Sequence, residues 1–203
     1  MTTNAPVRGS RTRDALLRGA REVFERDGFL DAKITSITSA AGVAAGSFYT
    51  HFASKDAIFE ALVDEIHEAT LHPDLKDLSP PGDRIATIEA TNRAYLELYR
   101  RNSRLFALVD QVAEVDDHFR AIRLDRSRAF AERNARAIAR FQDEGVADPA
   151  LDPLATAHAL DAMTSRMANL VFVHGFDMTF DALVDTLTHL WVNALRLTND
   201  KES

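Results

Sequence analysis

An all-α fold is predicted by three observations on this 203-residue chain. Apolar residues recur at helical spacing along most of its length, and nothing reads as a strand. Glycine and proline are few, with 8 and 6 residues, and punctuate the periodic stretches. A hydrophobic share of 46% fits a globular, helix-rich protein able to bury a sizeable core. No internal repeat is present.

Residues 1–9 carry no pattern and are expected to be disordered. Ser10 can cap a helix to about Asp27 that packs through Leu16, Leu17, Ala20, Val23 and Phe24, with Gly28 ending it. Short helices near 35–41 and 45–51 follow. Ile34, Ile37, Ala40 and Ala41 give the first an apolar face, Thr35 is expected to cap it, and Gly42 supplies the turn. Ser54 caps the next helix, with Asp56 in a first turn where the helix dipole favours acid and Ala57, Ile58, Leu62 and Ile66 on the packed side. Residues 72–82 (HPDLKDLSPPG) are the clearest linker. Helices are then expected over 83–101, 103–114 and 116–144, the last stopping at Gly145. Asp152 with Pro153 opens a helix to about 174, and Thr179 caps a final one to about 197.

Composition limits the chemistry. Without cysteine there is no disulfide framework or thiolate metal site. The seven histidines are scattered, and neither H-E-x-x-H, G-x-S-x-G, Walker A nor G-x-G-x-x-G occurs, so catalysis, a metal and a cofactor find no support. The leading MTTNAPVRGSRTR lacks a signal-peptide core, and no long uncharged apolar run exists; a cytoplasmic protein with no membrane partner is the expectation. The net charge of −7 argues against nucleic acid until its distribution is considered. Residues 1–55 hold eight Lys/Arg and five Asp/Glu, hence +3, leaving −10 for the rest.

The segment ITSITSAAGVAAGSFYTHFASK, 34–55, is the most informative. Val43, Phe48 and Phe52 should face inward, leaving Ala45, Gly46, Ser47, Tyr49, Thr50 and His51 outward. So small and polar a face suits close approach to base edges in a DNA major groove. Ala40-Ala41-Gly42-Val43, Gly46, Phe48-Tyr49-Thr50-His51-Phe52 and Lys55 resemble the DNA-binding domain of the TetR family of bacterial transcriptional regulators, and the match extends upstream through 11–29. The resemblance covers roughly the first quarter of the chain. It implies a phosphate contact from Thr35. An exposed phenol and imidazole beside a groove, and a lysine in a helix first turn, give Tyr49, His51 and Lys55 the same expected role, while the small residues Ala45, Gly46, Ser47 and Thr50 are the candidates for base contacts. Where many relatives carry a hydroxyl residue this chain has Ala44, so one phosphate contact is expected to be missing.

The layout expected is a helix-turn-helix head over 10–53, and a connecting helix plus a ligand-binding and dimerisation domain over 54–203. Two apolar stripes on the helix from 153 and a strongly apolar last helix imply a homodimer through a four-helix bundle, with Leu160, Leu170, His174, Leu183, Leu187, Leu190 and Trp191 at the interface. Candidate ligand contacts are Asn92, Tyr95, Tyr99, Phe106, Phe119, Arg126, Phe130, Met163 and Met167, which together suit a largely apolar effector. The family resemblance implies a repressor that binds a palindromic operator and is released by a small molecule. An all-α enzyme and a DNA-binding dimer insensitive to ligands stay open at this point.

Overall fold

The computed structural model describes residues 8–72 and 83–197. Its helices are α1 (Arg8–Asp31), α2 (Ile34–Ala40), α3 (Phe48–His51), α4 (Lys55–Leu71), α5 (Arg84–Arg101), α6 (Ser103–Val115), α7 (Asp117–Asp143), α8 (Pro153–Phe172) and α9 (Phe180–Leu195), with a 3-10 turn, Ala45–Ser47, leading into α3. No strand occurs among the described residues. Residues 8 and 9 are already helical, so α1 starts earlier than expected. Most of the expected linker, 73–82, lies outside the described residues, as does 1–7.

Side-chain caps start the long helices where the sequence places them. Ser54 Oγ accepts from Ala57 N at 3.1 Å, Asp83 Oδ1 from Ala86 N at 2.9 Å, Asp152 Oδ1 from Ala155 N at 2.7 Å, and Thr179 Oγ1 from Ala182 N at 3.3 Å. Asp116 serves α7 in the same way through the amides of His118 and Phe119. The expectation for Thr35 fails. Extended Lys33 precedes α2 with no side-chain cap, and Thr35 lies within the first turn, its hydroxyl exposed. Ala40 is exposed too, and buried Thr38 takes the inward place beside Ile37.

The turn after α2 has two backbone bonds, Val43 N to Thr38 O at 3.0 Å and Gly42 N to Ser39 O at 3.1 Å. This closure requires a residue at positive φ, and Gly42 supplies it at φ 65. Gly28, at φ 79 and ψ 167, breaks α1 so that Phe29 folds back onto Phe24 and Phe59, with ring centroids 5.7 and 4.7 Å away.

One core joins α1–α4 to α6 and the start of α7. Leu16, Phe24, Ile37, Phe48, Ile58, Phe59 and Leu62 pack there with Leu105, Val112 and Phe119. The helix-turn-helix region therefore shares buried side chains with the helices behind it. Two further clusters hold α5, α7, α8 and α9 together, one around Ile138, Leu160 and Trp191 and the other around Leu96, Leu183 and Leu187. Among the described residues no helix is long and apolar enough to cross a membrane.

Candidate functional site

The first candidate surface is built on two buried rings. Phe48 (0% exposed) and Phe52 anchor α3, 5.9 Å apart between centroids. With that side fixed, helical geometry turns Ala45, Gly46, Tyr49 and Thr50 outward, while Ser47 and His51 are half-buried. Tyr49 is 65% exposed although its ring meets Phe48 edge-on at 5.4 Å. A Cβ added at Gly46 would meet no atom within 4 Å, so the surface there is open. The result is a short protruding ridge of small side chains flanked by a phenol, shaped to approach a groove closely.

Two neighbours of the ridge depart from expectation. Lys55 directs its ammonium at the end of α1, where Nζ donates to Phe29 O at 2.6 Å and Leu30 O at 3.0 Å and lies 4.8 Å from the Phe29 ring centroid. It satisfies carbonyls that the Gly28 break leaves without helical partners, so it ties α4 to α1. Arg13 of α1, absent from the sequence-derived set, reaches over the Phe52 ring at 5.3 Å and brings a cation to the edge of the ridge. Thirty-nine positions separate those two residues, and no local spacing signals the contact.

The second candidate site is a cavity of about 570 Å³, partly open to solvent, bordered by α5, α7, α8 and α9. Ile88, Tyr95, Phe130, Ile138, Phe141, Trp191 and Leu195 form its apolar walls. Its volume falls in the range of small-molecule sites, about 300–1,000 Å³. Polar groups line it as well. Asn92 Nδ2 donates to Thr188 Oγ1 at 3.3 Å, Trp191 Nε1 to Thr164 Oγ1 at 3.1 Å, and Asn134 Nδ2 to Asp161 Oδ1 at 2.7 Å. Burial pushes the Asp161 carboxyl up to about 7, against the opposing pull of Asn134 and Arg133. Burial likewise raises the Tyr95 phenol, whose hydroxyl bonds Ser165.

Of the residues expected to contact a ligand, Asn92, Tyr95 and Phe130 line this cavity. Six do not. Tyr99 is buried and stacks on Phe106 at 4.3 Å, filling space between helices. Phe119 belongs to the core with Phe29 and Phe59. Met163 and Met167 pack against the buried clusters of the bundle. Arg126 is held by Asp64 of α4 at 2.7 Å. Asp161, Thr164 and Trp191 were not anticipated in this role. Arg133 also lines the cavity, over the Phe130 ring, and its Nη1 donates to Thr70 O in the last turn of α4 at 3.1 Å.

The residues expected at a dimer interface divide. Leu160, Leu183, Leu187 and Trp191 are buried inside the protomer, where they face α5 and α7 across the bundle and have nothing left to offer a partner. His174 and Leu190 are exposed and Leu170 is half-buried. The faces of α8 and α9 turned to solvent carry Ala155, His158, Ala159, Ala162 and Arg166, and Ala182, Thr186, His189, Leu190 and Asn193.

Residues 16–62 match the family model described as bacterial regulatory proteins, tetR family. The chain is 42% identical over 60 residues to the uncharacterized HTH-type transcriptional regulator YdgC of Bacillus subtilis, a match covering 30% of this chain and 31% of that protein. It is 32% identical over 71 residues to the HTH-type transcriptional regulator UidR of Escherichia coli, covering 35% and 36%. The matched region thus spans about a third of each of these two relatives. The fold extends further. The fatty acid degradation regulator FadR from Bacillus halodurans superposes with a TM-score of 0.79 at 16% identity, covering 97% of this chain and 100% of that one. Residues 16–62 thus carry the motif of the tetR family of bacterial regulatory proteins, on a fold that the chain shares over nearly its whole length with FadR.

Proposed function

We propose that the chain is a DNA-binding transcriptional regulator that acts as a homodimeric repressor and is released from a palindromic operator by a small effector. The observation that carries the DNA-binding part is the exposed ridge Ala45–Thr50 standing on buried Phe48 and Phe52. In this reading the head spans 10–53, α4 connects it, and the remainder binds ligand and partner. Ala45, Gly46, Ser47 and Thr50 approach the bases. Thr35, Tyr49 and His51 contact phosphate, Arg13 adds charge, and Lys55 acts through its hold on α1. Two equivalent heads suit two half-sites related by a dyad, and the outward faces of α8 and α9 are the surfaces available for pairing.

Ligand response is supported by what touches both the cavity and α4. Arg133 borders the cavity and caps Thr70 O, so an occupant that draws its guanidinium away frees the end of the connecting helix. Asp64–Arg126 and Glu60–His118 lie along the same seam. An effector that favours the DNA-incompetent arrangement by about 2–3 kcal/mol would weaken operator binding roughly 30- to 150-fold. The walls suit a largely apolar molecule.

The experiment is a footprint of the purified chain on genomic fragments, including DNA flanking its own gene, at two salt concentrations. A protected palindrome whose occupancy falls steeply with salt and is lost in Tyr49→Ala supports the reading. No protection on any fragment, from a folded dimer and with cell extract added, sinks it.

A further inference from the structure

The cavity narrows the class of effector beyond "largely apolar", on the condition that the ligand-responsive reading above holds. Asp161 lines the wall, its Oδ1 takes the Asn134 amide at 2.7 Å, and its Oδ2 is buried with no hydrogen-bond partner among the described residues. Neighbouring polar groups are already committed. Asn92 serves Thr188, Trp191 serves Thr164, and Thr164 donates on to Leu160 O at 2.9 Å. A buried acceptor left unpaired is costly, and a carboxylate turns readily about its last torsion, so a donor placed in the cavity would find it.

The charges nearby say which donor. Arg133 is close enough to pull the Asp161 carboxyl downward, and Arg84, Arg136 and Arg140 border the same cavity, against Asp83 and Glu144. An ammonium group would meet that concentration of arginine while losing its hydration. A carboxylate ligand brings no proton and would face Asp161 itself. A neutral hydroxyl avoids both penalties. The geometry points to an uncharged effector with an apolar body and a hydroxyl group that donates to Asp161 Oδ2.

Trp191, the chain's single tryptophan, lines the cavity, so its fluorescence reports occupancy without DNA present. The probes are 1-octanol, its methyl ether and octylammonium, titrated into the full-length protein at pH 8, where the Asp161 carboxyl is ionised and Oδ2 accepts. The expected result is that the alcohol binds about tenfold more tightly than the ether, the value of one hydrogen bond to a buried acceptor, and more tightly than the ammonium. Asp161→Asn keeps an oxygen for Asn134 but turns an amide donor toward the ligand, which alcohol and ether oxygens both accept, so the preference for the alcohol should fall to near parity. Equal binding of alcohol and ether by the native chain overturns the inference. So do a preference for octylammonium, an undiminished preference for the alcohol in Asp161→Asn, or no Trp191 response to any probe. Operator protection is measured separately: a footprint without alcohol preference defeats this inference alone, whereas alcohol binding without a footprint defeats the regulator reading.

Discussion

Replacing Gly19 by alanine tests whether backbone contact sets the packing of α1 on α2. A Cβ built at Gly19 would lie 2.8 Å from Ala41 N, 2.8 Å from Ile37 O and 3.1 Å from Ala41 Cβ. Two of these atoms are main chain of another helix and cannot swing aside as a side-chain tip does. In an unobstructed helix the same substitution favours folding by about 1 kcal/mol. Forcing extra volume into a packed contact costs typically about 1–3 kcal/mol, and contacts this short with backbone belong at the upper end. The net expectation is a loss of about 1–2 kcal/mol. For a chain of this length that lowers Tm by about 2–8 °C. Thermal unfolding followed by circular dichroism gives the answer. A raised Tm, the ordinary outcome for glycine replaced in a helix, would refute the reasoning. Gly46→Ala is the matched control, because nothing lies within 4 Å of its added Cβ. Its stability should stay within about 0.5 kcal/mol of native, and, if the ridge meets DNA as proposed, operator affinity should fall because the new methyl takes up space on its outer face.

Lys55→Met keeps the apolar stem but removes two hydrogen bonds to the end of α1 and the cation over Phe29, and should cost about 1–2 kcal/mol in denaturant unfolding. An unchanged midpoint would show that Lys55 is held only loosely. Asp161 gives a pH signature. Its carboxyl titrates near 7 when folded and near its ordinary value of about 4 when unfolded, so the folded chain holds a proton that the unfolded chain has lost. Its contribution is intact below about pH 4, declines as pH rises to about 7 and is flat above. Asp161→Asn should therefore melt higher than the native chain at pH 8 and about level with it at pH 4.5; the same difference at both pH values contradicts the assignment. Ala159→Glu places a charge on the solvent face of α8 and, if that face pairs, should raise the dimer dissociation constant at least about tenfold in sedimentation, with monomer stability preserved. Trp191→Phe, at a buried position, should leave the association state alone.

The helices were legible in the sequence because their signals are local. A cap lies within three residues of the amides it satisfies, and the spacing that turns Phe48 inward and Tyr49 outward is complete within one turn. Where local reasoning failed, equivalent spacings had different neighbours. Tyr95 and Tyr99 follow one stripe of α5 with centroids 6.1 Å apart, yet Tyr95 lines the cavity and Tyr99 is stacked on Phe106. Arg126 and Arg133, seven residues apart on α7, split likewise, Arg126 going to Asp64 and Arg133 to the cavity and Thr70.

By itself, then, the sequence determined the all-α class, the capped starts of α4, α5, α8 and α9, the turn at Gly42 and the outward ridge from Ala45 to Thr50, because each depends on residues a few positions apart. Only the tertiary structure decided which face of α8 and α9 is buried in the protomer, which aromatic residues border empty volume, and that Lys55 is tied to α1. Periodicity reports that a helix has an apolar side. Whether that side meets a cavity, a packed core or a partner depends on the volume left by side chains on helices distant in the chain.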